Sequence, residues 1–159
     1  MQSKPEAYET LKTLLTAQRL AVVATQMQGR PYTSLVAFAA SEDLRRIAFC
    51  TTRATTKYRN LSEEPHVSVL IDSRTHSVED FATGAAVTAI GKASELPESI
   101  VGPAIERFLR KHPHLEVFVR SPSTALCSVE VEKYYLVTRF QHVVEMDVTR
   151  WSSSSPSQT

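Results

Sequence analysis

The sequence predicts a mainly β fold, an antiparallel barrel or sandwich with helices packed on its outside. Three observations support this prediction. About six segments have the apolar alternation or the Val- and Ala-rich composition of strands. Several of them follow one another after short breaks that contain Gly, Pro or polar residues, as hairpins do. The early strands have no helical pattern between them, whereas a βαβ arrangement needs regular helical crossovers.

Length and charge predict one domain without a general affinity for nucleic acid or membranes. The chain has 159 residues, and we assign residues 1–150 to the domain and 151–159 to a disordered, Ser-rich tail. Eighteen basic residues nearly balance seventeen acidic ones, for a net charge of +1. Nucleic-acid and membrane binding need a sustained basic face. The longest apolar runs are far shorter than a membrane span of about 18 residues.

The two cysteines and the first residues predict a cytoplasmic protein. Cys50 and Cys127 lie far apart in apolar stretches and form no CxxC pair, so we expect two buried, reduced thiols. The segment 1–12 is polar and lacks the apolar core of a signal peptide. A reducing compartment fits both observations.

The first three elements are a helix and a hairpin. Ser3 and Glu6 have the spacing of a capping box, and Pro5 falls in the first turn of a helix that should end near Gln18. The hairpin joins Leu20–Thr25 to Tyr32–Ala40 with Gly29 in its turn.

The remaining elements alternate between strands and helical segments. Gly84 and Gly91 predict bulges or bends, and Pro103 suits the first turn of a helix. In Thr124–Val131, alternate apolar residues should face inward, with Ser128 and Glu130 outward. In order, the predicted segments are the strand Arg46–Thr51, a helix from about Ala54 to Glu63, the strand His66–Asp72, a polar loop Ser73–Asp80, a long strand Phe81–Leu96, a helix with Val101, Ile105, Phe108 and Leu109 on one side, the strand Thr124–Val131 and a final strand Tyr134–Val148.

The junction between the third strand and the next helix carries the chemistry. Four threonines surround it, and five basic residues but no acidic one lie between Arg45 and Ser62. A helix N-terminus exposes unpaired amide donors and a partial positive charge. Proteins usually place Asp or Glu there, whereas this chain supplies hydroxyls and cations. A bound anion would supply the missing negative charge, and a phosphate suits the geometry.

This segment alone leaves a second interpretation open. Thr52 or Thr55 can simply cap the helix while the basic side chains form a solvated surface.

The ordered set of motifs resembles the pyridoxamine 5′-phosphate oxidase-like family of FMN-binding split barrels. The matching pieces lie between Leu20 and about Leu96, in the same order and spacing as in the family. They are Leu20-Ala-Val-Val-Ala-Thr, Gly29-Arg-Pro-Tyr-Thr-Ser-Leu-Val-Ala-Phe, Phe49-Cys-Thr-Thr-Arg-Ala-Thr-Thr-Lys-Tyr-Arg-Asn-Leu and Glu64-Pro-His-Val-Ser-Val-Leu-Ile-Asp. The resemblance implies a homodimeric, Greek-key-like antiparallel split β-barrel with FMN at the interface between two copies.

The resemblance also implies roles for particular residues. Lys57 matches the family's basic phosphate ligand, and Thr56 the phosphate-contacting position before it. Residues of the second chain complete each site, and Ala86 and Thr88 on the long strand are the candidates for that role. The predicted cofactor-binding residues are Ser34 and Leu35 on the second strand, Thr51 and Thr52 at the end of the third, Arg53 in the turn, and Thr56 and Lys57 on the helix.

The predicted function is that of an FMN-dependent oxidoreductase acting on a small molecule. Three alternatives stay open: a flavin-binding or storage module without turnover, a haem-binding or haem-degrading protein using His142, and a deazaflavin protein. Ser34 stands where the family's oxidases have an arginine, and Arg150-Trp151 lacks the context of their substrate-gripping motif. We therefore expect a substrate other than pyridoxamine phosphate. We predict no metal site, and a surface position for His112-Pro-His114.

Overall fold

A computed structural model describes residues 3–152 and shows an antiparallel split β-barrel with helices on its outside. The strands are hydrogen-bonded in the order β3-β2-β1-β4-β5-β6-β7, and an additional pairing of β3 with β6 closes six of them into the barrel. The elements are α1 (Lys4–Ala17), β1 (Leu20–Met27), β2 (Arg30–Ala40), β3 (Arg46–Thr52), α2 (Thr56–Glu63), β4 (His66–Asp72), α3 (Asp80–Thr83), β5 (Ala85–Glu95), α4 (Glu98–Lys111), α5 (Glu116–Val119), β6 (Thr124–Thr138) and β7 (His142–Asp147), with 3₁₀ turns at Pro113–Leu115 and Val148–Arg150.

Two apolar clusters hold the fold together. The larger one fills the barrel, where alternate strand residues such as Val23, Phe49 and Tyr134 are fully buried. The smaller one lies outside the barrel, where Phe108 and Leu109 of α4 cover the outer faces of β2, β3 and β6. Among the residues described, no helix has the length and apolarity needed to cross a membrane.

The first helix and hairpin confirm their sequence signals. Ser3 Oγ accepts from the amide of Glu6 at 3.4 Å, and the Glu6 carboxylate accepts from the amide of Ser3 at 2.8 Å, so the capping box is formed. In the hairpin turn, Gln28 and Gly29 both have positive φ, at 51° and 75°. That conformation is inexpensive for glycine because it has no Cβ.

The fifth strand begins later than the sequence predicts. The predicted start of the strand Phe81–Leu96 is wrong, because residues 80–83 form the short helix α3. The Asp80 carboxylate accepts from the amides of Thr75, His76 and Ser77, and these bonds fold the preceding loop onto the helix. Gly84 ends that helix and marks no bulge.

The predicted bulge at Gly91 is confirmed. The register between β5 and β6 shifts between Ile90 and Gly91. A Cβ at Gly91 would lie 2.0 Å from the Glu130 carbonyl oxygen, so the two backbones approach more closely than a side chain allows.

Near the C-terminus the single predicted strand Tyr134–Val148 is a hairpin of β6 and β7. The turn places Arg139 and Phe140 at positive φ, 48° and 60°, without a glycine or proline that would signal it. The predicted tail 151–159 lies mainly outside the described residues. Only Trp151 and Ser152 of it are described.

Two further expectations fail in and after α4. α4 begins at Glu98, so Pro103 lies inside the helix and not in its first turn. Ser128 points outward from the barrel as predicted, and it is buried there. His112 is not at the surface either: it is buried, and its Nε2 lies 2.8 Å from the Phe38 carbonyl oxygen.

Candidate functional site

The barrel is split between β2 and β3, and the predicted site residues border this opening. The two strands pair only from Phe38↔Phe49 to Ala40↔Ile47, whereas β3 stays paired with β6 to its end at Thr52. Extending the β2–β3 register would place Leu35 opposite Thr52. The stretch of β2 that carries Leu35 and the end of β3 at Thr52 thus lie on the two sides of the opening, beyond the paired segment.

The free edge of β2 can offer backbone groups to a ligand. The Phe38 amide donates to the Arg19 carbonyl at 3.3 Å, on the β1 side of the strand. Hydrogen-bonding groups alternate between the two edges of a strand, so the amide and carbonyl of Leu35 point toward the β3 side. The Ser34 side chain faces the barrel interior with Val36, while Leu35 is 66% exposed on the outer face. The two predicted contacts therefore present different faces of one strand.

The turn from β3 to α2 is held by threonine hydroxyls. Thr55 is the N-cap of α2, and its Oγ1 accepts from the amide of Tyr58 at 3.3 Å. That hydroxyl also lies 2.8 Å from Oγ1 of the buried Thr51 and 3.0 Å from the Thr52 carbonyl oxygen. The capping role that the sequence left open thus belongs to Thr55, and Thr52 contributes its carbonyl.

The first turn of α2 presents amide donors and one cation. The first intrahelical bond runs from the Arg59 amide to the Thr55 carbonyl at 3.2 Å, so the amides of Thr56 and Lys57 precede the ladder. Lys57 Nζ donates to Thr51 Oγ1 at 3.3 Å and forms no ion pair with any residue in the range 3–152. Partial burial lowers its pKa. This corner therefore has the donors and the charge that hold a phosphate.

Arg53 has a protein partner that the local sequence does not reveal. Its guanidinium forms an ion pair with Glu95 at the end of β5, and its Nη1 donates to the Pro122 carbonyl at 2.8 Å. The Tyr58 hydroxyl also donates to Glu95, at 2.5 Å. The hydrogen bond from Arg53 is the main cause of the lowered pKa of Glu95. The charge of Arg53 is therefore offset, and Lys57 is left as the unpaired cation of the corner.

Sequence reasoning missed Glu95 and Tyr58 as parts of this corner. Glu95 is 42 residues from Arg53 in the chain, and only the pairing of β5 with β6, next to β3, brings it there. One signal could have indicated that Arg53 has a distant partner: no acidic residue lies near it in the sequence. An arginine in such a segment needs a distant carboxylate or an external anion.

The outer face of the barrel next to the opening is apolar and exposed. Leu35 pairs with Val22, Val22 with Leu70, and Leu70 with Thr88, so these residues form one row across four strands. Leu35 and Leu70 are exposed, and Ala86 lies two residues from Thr88 on the same side of β5. Contiguous exposed apolar patches are typical of binding surfaces.

The sequence matches the family model described as pyridoxamine 5′-phosphate oxidase over residues 7–138. None of the curated proteins compared with the sequence matches it.

Several solved structures share the fold. A haem-binding protein from Mycobacterium smegmatis superposes with a TM-score of 0.81 at 18% identity, over 92% of this chain and 60% of that one. A FAD-binding protein from Mesorhizobium loti superposes with a TM-score of 0.66 at 20% identity, over 82% of this chain and 90% of that one. The haem storage protein HutZ from Vibrio cholerae gives 0.68 at 20% identity, over 87% and 95%. At these identities the similarity establishes the fold.

Proposed function

Because this chain belongs to the pyridoxamine 5′-phosphate oxidase family, we propose that it binds FMN in the opening between β2 and β3. The observation that carries the proposal is Lys57, a partly buried ammonium beside the start of α2 without an ion pair in the described part of the chain. A flavin needs a phosphate anchor, an apolar slot and backbone groups near its polar edge. Lys57 and the first amides of α2 fit the phosphate anchor. The unpaired backbone of β2 at Leu35 fits the groups near the polar edge of the flavin.

Each predicted residue has a role in this proposal. Thr56 and Lys57 bind the phosphate, and the β2 edge that carries Ser34 and Leu35 borders the ring. Thr51 and Thr52 position the first turn of α2 through Thr55. Arg53 shapes the same turn through Glu95.

We propose that FMN lets the protein act as an oxidoreductase on a small molecule. When bound, FMN supplies the electron transfer, and the protein supplies position and electrostatics. Ser34 presents no cation where the family's oxidases carry one, which favours a substrate without the phosphate of pyridoxamine phosphate. Oxidation of a reduced nicotinamide by the flavin-loaded protein would distinguish an enzyme from a storage module.

We further propose that two copies pair through the outer face of β1, β2 and β4. A single chain leaves Leu20, Leu35 and Leu70 exposed beside the opening. Pairing would bury this face and complete each FMN site with residues of the second chain.

The most direct test of the proposed ligand is mass spectrometry of the small molecule released from the denatured protein. We expect FMN, in about one copy per chain, together with a yellow colour before denaturation. If the released molecule is a deazaflavin, the proposed site stands and the cofactor is a deazaflavin instead of FMN. Protein that neither carries nor takes up any flavin would contradict the proposal.

A haem site is the second candidate, because His142 lines a cavity large enough for a sizeable ligand. Arg139 and His142, with residues of α1 and α3, border a space of about 910 Å³. A neutral imidazole can ligate iron, and an arginine can pair with a carboxylate.

We expect any haem bound in this cavity to depend on His142. Adding haem should produce a Soret band that His142→Ala shifts or removes, because the axial ligand sets the spectrum. His76→Ala, at an exposed histidine of the loop before α3, is the matched control and should leave the band unchanged. A Soret band identical in the wild type and in His142→Ala would exclude His142 as a haem ligand.

A further inference from the structure

A basic cleft lies at the other end of β3 from the candidate FMN site. It is bordered by the second half of α1, by the turn between β2 and β3, and by the last turns of α4, and its volume is about 490 Å³. That size is within the range of small-molecule pockets, about 300–1,000 Å³. β3 has seven residues, so the two places are ~20 Å apart at about 3.3 Å per strand residue.

Four cationic side chains line the cleft: Lys12, Arg107, Arg110 and Lys111. One acidic residue, Glu42, lines it too, so the charge of the lining is 4 − 1 = +3. None of the four cations forms an ion pair with a carboxylate of residues 3–152. By contrast, Arg53, Arg74 and Arg120 elsewhere on the surface each have a carboxylate within 4 Å.

Helix ends explain part of this arrangement. Arg110 and Lys111 lie in the last turn of α4, where the partial negative charge of the helix C-terminus stabilises cations. The dipole of α4 does not explain why Lys12 of α1 borders the same cleft. Several positive charges around a concave, low-dielectric surface raise the local concentration of anions.

Lys111 is the most constrained of the four cations. Its Nζ donates to the Leu15 carbonyl at 2.9 Å and lies 3.9 Å from the centre of the Phe38 ring. Burial lowers its pKa to about 8, and the charge of Arg19 contributes to the shift. An anion in the cleft would offset both effects, since it favours the charged ammonium.

We propose that the cleft between α1 and α4 binds a small phosphorylated molecule, independently of the FMN site. One arginine guanidinium can donate two parallel hydrogen bonds to the oxygens of a phosphate. Two arginines and two lysines border a cleft large enough for a small phosphorylated molecule. A dianionic phosphate group would meet a lining whose charge it largely neutralises.

Inorganic pyrophosphate is the probe for this site. Isothermal titration calorimetry of the full-length chain, with saturating FMN so that the Lys57 corner is occupied, should give one pyrophosphate site per chain with a Kd below about 1 mM. The double variant Arg107→Ala/Arg110→Ala should weaken binding at least about tenfold, because it removes two charge-assisted hydrogen bonds. In Lys4→Ala/Arg30→Ala, which removes two exposed charges outside the cleft, the affinity should change by less than about twofold.

Two further measurements keep the inference separate from the FMN proposal. Lys57→Ala should leave pyrophosphate binding intact, and Arg107→Ala/Arg110→Ala should leave FMN binding intact. In the wild-type protein, pyrophosphate should shift the backbone amide resonances of Thr16 and Ser41, which border the cleft, whether or not the double variant folds. The inference would be overturned if the wild type does not bind pyrophosphate at about 10 mM. It would also be overturned if both double variants lose pyrophosphate affinity equally, or if Lys57→Ala is the variant that loses it.

Discussion

Lys57→Ala should weaken FMN binding by about ten- to hundredfold. The lysine is a charged hydrogen-bond donor, and such bonds contribute about 1.5–3 kcal/mol, with about 1.4 kcal/mol for each factor of ten. Its ammonium forms no ion pair within residues 3–152, so its loss leaves no carboxylate of that range without a partner. Fluorescence titration of the apoprotein with FMN measures the effect.

Arg59→Ala is the matched control for that experiment. Arg59 carries the same charge on the same helix two residues later, so its side chain points to a different face, and it is exposed. Its loss should change the affinity by less than about twofold. Equal weakening in the two variants would show that only the general charge of the helix matters, and an unchanged affinity in Lys57→Ala would remove Lys57 from the site.

The pH dependence of FMN binding should come from the same lysine. Burial lowers its pKa below the ordinary value of 10.5. The protonated ammonium binds the phosphate, so the affinity is fully present below that lowered pKa and falls as the pH rises through it. Lys57→Arg, which stays charged throughout, should bind FMN without this alkaline loss. A wild-type affinity that follows the Lys57→Arg curve up to pH 10.5 would contradict this assignment.

Local signals predicted the N-terminal half of the fold well. The capping box at Ser3 and the turn at Gly29 depend on residues within a few positions, and both are formed. The strand His66–Asp72 has the predicted bounds, because alternate apolar residues face the barrel interior. The family motifs lie in this half, and they identified the split barrel.

The errors lie where distant residues decide the local structure. His112 is predicted at the surface, but α4 lies against β2, and the imidazole meets the Phe38 carbonyl 74 residues away. His112 carries no local signal of this packing.

The sequence indicated which residues share the corner between β3 and α2, but not how they are arranged. Its composition indicated an anion, and Thr55 and Lys57 lie at the start of α2 as expected. The sequence could not reveal that Glu95 pairs with Arg53, since that contact depends on where β5 ends beside β3. Within residues 3–152 the ammonium of Lys57 has no ion pair at this corner, which makes Lys57 the most informative single substitution.

Leu35→Asp should convert the proposed dimer into a monomer. Leu35 is 66% exposed in a single chain, so an aspartate there leaves the barrel core intact. In the proposed dimer the same residue lies in the row with Val22 and Leu70, and each interface would hold two buried carboxylates. Unpaired buried charges cost several kcal/mol, so the dissociation constant should rise more than about a hundredfold. Sedimentation velocity at micromolar concentration measures this change.

The same substitution tests whether the FMN site is shared between two chains. If residues of the second chain complete each site, Leu35→Asp and Leu70→Asp should both lose FMN affinity together with dimerisation, while their thermal unfolding stays close to that of the wild type; Leu70 lies on the same face but is not a predicted FMN contact. Val117→Asp is the control: Val117 is 89% exposed on α5, outside the β1-β2-β4 face, and an aspartate there should change neither property. A monomeric wild type, or a Leu35→Asp variant that remains dimeric, would place any interface elsewhere. A monomeric Leu35→Asp variant with full FMN affinity would instead show that one chain forms the whole site.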